Sequence, residues 1–246
     1  YPLLSYVTQF NETDAHFVQR WCEQEGLFWY VEHALDSHCI VFTDSAMLLP
    51  TLNPPALRFH TQQAADRQDS ITQWSPGARL LNGLVQSSSS DYLCHARSQI
   101  TRTPALPASS APPDLERYQY RGQYAWQNPD RGDWLSRVQI EQDESAARRI
   151  HGQGGVRQMQ PGHGFELTQH PLYESRTPKE RQFLIIAVEF FAQSNLPVGT
   201  QRASPPGSLK ALFESEQRQS MHQVENEGFY LNRFETQRLD IAYRSP

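Results

Sequence analysis

Nine histidines, three cysteines and two glutamates flanking a helix end are the groups in this 246-residue chain that could do chemistry. His33, His38 and Cys39 are close enough for a hairpin to bring together, the first requirement of a zinc site. Four convergent ligands with supporting partners are needed, however, and neither a His-x-x-x-His helix nor a Cys-x-x-Cys pair is present. His163 and His170 flank a turn and read as turn and edge polar groups. Glu23 and Glu25 invite comparison with the paired carboxylates of glycoside hydrolysis. Two residues apart at a helix end, they point to different sides and read as a solvated terminus or a subunit contact. The glycine cluster His151-Gly152-Gln153-Gly154-Gly155 follows a helix, whereas a phosphate cradle opens one. It reads as a helix stop and tight strand entry. There is no Gly-x-Ser-x-Gly elbow. The residues therefore assign no catalytic, cofactor-binding or metal site.

The elements around these groups are more informative. Tyr6–His33 reads as strand, capped helix, turn and strand, with residues 2–10 as the first strand. Asn11 or Thr13 caps a helix over 13–25, and Glu12 and Asp14 suit its positive end. Phe17, Val18, Trp21 and Cys22 recur at helical spacing and mark a buried face, and Gly26 ends the helix. The strand 27–33 carries Phe28, Trp29 and Tyr30, which alternate faces, so one side is core and the other a candidate interface. His38–Thr43 is the next strand, and Pro50, Pro54 and Pro55 predict a loop.

Further strands are expected at Ile71–Trp74, Ala78–Gln86, Tyr118–Tyr124, Phe165–Thr168, Gln182–Gln193 (bent or bulged) and Gly228–Thr236. The serine run 87–90 reads as solvated surface. A helix over 130–149 begins at Asn128-Pro129, with Trp134, Leu135, Val138, Ala146 and Ile150 as its apolar stripe. Leu209–Gln219 has weak helical character. Many short strands and two good helices indicate an α+β, mostly β chain. The expected division is a first subdomain over 1–97, a proline-rich linker over 98–114 and a second subdomain over 115–246.

Composition narrows the partners. The net charge is −5, from 22 Lys+Arg against 27 Asp+Glu. Residues 1–60 hold two basic and seven acidic side chains, so the whole imbalance lies there and no basic face for nucleic acid exists. Cys22, Cys39 and Cys94 do not describe a disulfide framework. No apolar run is long enough to span a bilayer, so stable membrane insertion is not expected. The start carries no Sec-type signal pattern.

The blocks Gln9-Phe10, Glu12-Thr13-Asp14, Phe17, Arg20 and Glu23-Gln24-Glu25-Gly26-Leu27 resemble a stretch of the VgrG spike proteins of type VI secretion systems. The similarity continues in order through Ile71–Trp74, Tyr118–Tyr124, Ile150–Gly154, Met159–Pro171, Phe183–Phe190 and Tyr230–Pro246. Arg121 stands where the family pattern has proline. The resemblance implies a phage baseplate hub-like module with β-barrel subdomains, in which paired barrels from three chains form a pseudo-sixfold ring. It implies a homotrimer seated on a hexameric, Hcp-like tail tube, in contact with baseplate proteins and effectors. It also implies a chain made in the cytoplasm and then injected, no enzymatic role, and no cofactor. Glu23 and Glu25 are structural on this resemblance. The family's N-terminal segment and its C-terminal needle are not represented, so a lone half-barrel is expected to expose strand edges and dissolve poorly. The alternatives are a contractile phage baseplate hub and, in another class, a hydrolase or glycan-binding domain attached to secretion machinery. The last requires a convergent pocket with shifted carboxylates or histidines.

Overall fold

A computed structural model describes residues 1, 3, 6–60, 69–90, 99–105, 115–126, 128–193 and 229–245. Helix α1 (Asp14–Glu25) opens at Thr13, whose hydroxyl accepts from the His16 amide at 3.2 Å, which resolves the choice of cap. It closes at Gly26, φ 76°, with Gly26 and Leu27 amides donating to the Glu23 and Cys22 carbonyls at 3.2 and 2.7 Å. This left-handed cap is the reason for a glycine there. Residues 6–10 are extended without joining a sheet, so the expected first strand is absent among the described residues. β1 (Phe28–His33) and β2 (His38–Thr43) form an antiparallel hairpin of six in-register pairs.

The main sheet has the order β3-β9-β10-β11-β8-β4. Its strands are β3 (Thr51–Arg58), β4 (Ile71–Pro76), β8 (Ile150–Gly154), β9 (Gly164–Thr168), β10 (Gln182–Gln193) and β11 (Phe229–Arg238). The end strands meet through a single parallel bridge, Phe59 with Ile71, reinforced by the His60 amide on the Ile71 carbonyl at 2.8 Å. The sheet thus curls into a six-stranded barrel zipped at one point. β3 and β4, from before residue 98, meet at the seam, and the four strands between them all come from after residue 114. β10 carries the expected bulge, between Ile185 and Ala187. Of the prolines expected in a loop, Pro54 and Pro55 lie inside β3, where the pairing with β9 slips between Thr51 and Ala56, and Pro50 directly precedes it. β3 tolerates them because it is an end strand with few ladder donors to lose.

The barrel interior is apolar: Leu57, Ile71, Leu167, Phe183 and Ile185 are buried, and Trp74 packs edge-on to Phe183 at 4.9 Å. Gly152, on β8, faces Phe234 in register; a Cβ there would fall 2.2 Å from the Phe234 ring. The glycine cluster is therefore strand, and its glycine makes room for an aromatic core.

A second layer combines the three-stranded sheet β6-β5-β7 with helix α2 (Pro129–Ala147). β5 (Leu84–Ser90) is central, antiparallel to β6 (Gln99–Pro104) and parallel to β7 (Glu116–Gln123). The expected linker 98–114 thus contains a strand, and its remaining proline-rich part, 106–114, lies outside the described residues, as does 209–219. The serine run is the second correction: Ser87, Ser88 and Ser89 are buried in the central strand. The hydroxyls of Ser88 and Ser89, with that of Ser90, are used internally, whereas Ser87 Oγ has no partner among the described residues. Ser88 and Ser90 pair with the Tyr118 and Tyr120 hydroxyls at 2.7 Å each, and Ser89 donates to the Gly122 carbonyl at 3.1 Å. Helix α2 is capped by Asn128, which accepts from the Arg131 amide at 2.8 Å. Its buried face includes Ser136 and Ile140 beside Leu135 and Val138, while Trp134 is only half-buried. A polar contact, Thr101 Oγ1 to Ser136 Oγ at 2.7 Å, lies wholly inside this layer.

Candidate assembly surfaces

The residues singled out at the end of α1 converge on the C-terminal segment. Glu25 is buried and ion-paired with Arg131 of α2, so it is not the solvated terminus expected of it. Glu23 accepts from Gln19 Nε2 at 2.9 Å, and its carbonyl accepts from Gln142 Nε2 at 3.2 Å. Arg244 is buried and spans three elements. It donates to the Glu141 carboxylate at 2.8 Å, the Gly26 carbonyl at 2.8 Å and the Asp44 carbonyl at 2.6 Å. Next to it, Tyr243 meets Phe28 edge-on at 4.8 Å and lies under the Arg149 guanidinium at 5.2 Å. Burial, ahead of its ionic neighbours, pushes the Tyr243 hydroxyl up and the Arg149 guanidinium down. The first and last motif blocks of the chain are thus one clasp in space. Arg131 carried no sequence signal for this; Arg244 carried one only as the arginine of the closing block.

The histidines divide. His33 and His38 are in-register partners with Nδ1 atoms 2.9 Å apart, but Cys39 sits on the opposite face of the strand, paired with Glu32. Among the described residues no group of three or more His, Cys, Asp or Glu could hold a metal ion. His163 contacts the Pro161 carbonyl at 3.2 Å, as a turn residue does. His170 is no edge group: it is buried, stacks on Phe59 at 4.4 Å, and accepts from the Leu172 amide at 3.2 Å. Burial lowers its basicity.

Two apolar surfaces remain open. On one face of the hairpin, Trp29 opposes Phe42 and Val31 opposes Ile40, with His33–His38 completing a ladder of three pairs. Trp29, Ile40 and Phe42 are 47%, 56% and 50% exposed, whereas Phe28 and Tyr30, on the other face, are buried. The alternation expected of this strand is therefore core on one side and open surface on the other. The second surface is a groove of about 370 Å³ along α1, lined by Phe17, Val18, Trp21 and Leu27 with Tyr1 and Val7. Of the α1 face expected to be buried, Cys22 is buried, Phe17 and Trp21 are half-buried, and Val18 is 46% exposed. A third concavity, of about 540 Å³, crosses the barrel wall and is polar, with Gln73, His151, Gln153, Glu189, Arg233 and Glu235.

The described residues thus form a barrel, a clasped helical layer and open apolar faces. Residues 1–196 match the phage tail baseplate hub (GPD) family, and the chain belongs to it. Among curated proteins it is 30% identical to the type VI secretion system spike protein VgrG4b of Pseudomonas aeruginosa, over 71% of this chain and 21% of that protein. It is 27% identical to VgrG1b of the same organism, over 86% of this chain and 27% of that one. The chain thus spans about a fifth to a quarter of the length of these two relatives. Two solved structures share the fold at 9% identity and 96% coverage of this chain. They are the tail protein of Neisseria meningitidis MC58 (TM-score 0.55, 58% of that chain) and the 43 kDa tail protein of prophage MuSo2 from Shewanella oneidensis (TM-score 0.52, 57%). The VgrG resemblance and the α+β, mostly β hub-like fold hold.

Proposed function

We propose that this chain is the hub portion of a cell-puncturing spike of a type VI secretion system. Its work is structural: it assembles as a homotrimer, seats on a hexameric tail tube and takes part in delivering effectors, without turnover of a substrate. It is made in the cytoplasm and leaves with the spike when the apparatus fires. The observation that carries this reading is the membership of the hub family together with curated relatives that are spike proteins. The open apolar faces fit a subunit role, since exposed patches of this size mark interaction sites. The Glu25–Arg131 pair fits it as well, because the carboxylate nearest to a catalytic candidate is held in an ion pair. No helix among the described residues is long and apolar enough to cross a membrane.

The test is the absolute mass of the natural full-length chain by light scattering after size exclusion, followed by co-sedimentation with assembled tail tube. A trimer that caps tubes is the expected result. A monomer at micromolar concentration removes the assembly role.

A further inference from the structure

Cyclic assembly places a specific demand on the surface of a protomer. A closed ring of three uses a heterologous contact, so each chain must present two different patches, one for each neighbour. The chain has two such patches on adjacent elements: the hairpin ladder and the α1 groove. Both are uncharged where they are open. The ladder consists of Trp29–Phe42, Val31–Ile40 and His33–His38. The carboxylate bordering the groove, Glu25, is paired with Arg131, and Arg20, stacked on Phe17 and Trp21, is paired with Glu12 at 2.6 Å.

Size points the same way. Trp29 and Phe42, each about half exposed, leave roughly 100 Å² apiece open, and Ile40 adds a comparable share. Roughly 300 Å² of contiguous apolar surface is at the level where a patch on a monomer is functional. It is also a fitting centre for a standard interface of about 800 Å² per partner, whose core is apolar and whose rim is polar.

We propose that the hairpin ladder of one protomer packs against the α1 groove of the next copy of this chain, around a closed ring. The inference rests on the trimeric reading above and names its contact. Trp29 and Phe42 are the anchors on one side, and Phe17, Val18 and Trp21 form the receiving surface on the other.

The test uses the natural full-length chain and two surface variants, Ile40→Asp on the ladder and Val18→Asp in the groove. Both side chains are about half exposed, so each variant protomer should keep its fold, read as an unchanged far-ultraviolet circular dichroism spectrum. Each variant alone is expected to run as a monomer at micromolar concentration. An equimolar mixture of the two is expected to recover a heterodimer, because one intact ladder then meets one intact groove. Neither a self-complementary contact nor a foreign occupant gives that result. In parallel, Val18→Cys mixed with Ile40→Cys, both in a Cys39→Ser background, should cross-link under oxidation into a dimer that neither gives alone. A parent trimer that both Asp variants leave intact, without cross-linking, overturns the inference and leaves the spike reading standing. In that case a different segment or a foreign partner covers these faces. A monomeric parent overturns the spike reading itself.

Discussion

The barrel and the helical layer of this protein are held together by different physics. In the barrel, Phe165, Phe183, Phe234 and Trp74 fill the space between strands, and the ring contacts run from 4.9 to 6.4 Å. In the helical layer, Val85, Leu135, Val138 and Ile140 share the interior with hydroxyls and ion pairs: Thr101–Ser136, Ser88–Tyr118, Glu25–Arg131 and Arg244–Glu141. An apolar core tolerates loss of volume poorly but is indifferent to hydrogen-bond partners. A polar core behaves in the opposite way, since a single removed partner leaves another group buried and unpaired. The contrast assigns the barrel the role of rigid frame and the layer the role of locating α1, the hairpin and the C-terminal segment in one register.

Substitutions can break that contrast. The largest effect is expected from Phe183→Ala at the centre of the barrel, a loss of about 3–5 kcal/mol of unfolding free energy by denaturant titration. Arg244→Met should follow at about 3 kcal/mol, because it leaves the Glu141 carboxylate and two carbonyls without their buried donor. If the clasp is what locates the hairpin, amide exchange should rise in β1 and β2 of this variant and not in the barrel. Gly152→Ala should cost about 1–3 kcal/mol through collision with Phe234, and Phe234→Leu in the same chain should recover part of it. Ser136→Ala should cost about 1–2 kcal/mol, whereas the double change Thr101→Val with Ser136→Ala should be close to neutral. A double variant worse than the single would show that the layer depends on packing after all.

The smallest effect concerns acid. The Arg20 guanidinium, with further help from His16, holds the Glu12 carboxyl at about 2, below its ordinary 4.5. A folded-state pKa below the unfolded one gives stability that is complete above about pH 4.5 and is lost as the pH falls toward 2. Glu12 sits on the protein surface, so the contribution is small and screened by salt. Melting temperatures taken across that window should fall less steeply for Arg20→Met than for the parent.

Much of the architecture was legible in the residues, for local reasons. Thr13 and Gly26 bound α1 because a cap hydroxyl and a left-handed glycine act within one turn of chain. The alternation in Phe28–His33 is a property of the strand itself, and so is the length of β10. The misread segments share one feature: their surroundings come from distant sequence. Ser88 and Ser89 look solvated until Tyr118 and Gly122 supply their partners. Pro54 and Pro55 look like breakers until β3 is placed at the end of a sheet. The buried face of α1 was marked correctly at Cys22 and incorrectly at Val18, because amphipathic spacing shows that a face is apolar without showing what covers it.

The residues alone determined the two helices with their caps, most of the strands, and the motif series that places the chain among baseplate hubs. Tertiary structure alone decided that the first and last of those motifs close on each other through Arg244, 218 positions from Gly26. It also decided that the carboxylate at Glu25 is spent on Arg131, and that the apolar ladder of the hairpin is left open. The reason is the range of the forces: capping and strand alternation act over a few residues, whereas burial and ion pairing depend on what folding brings within a few ångströms.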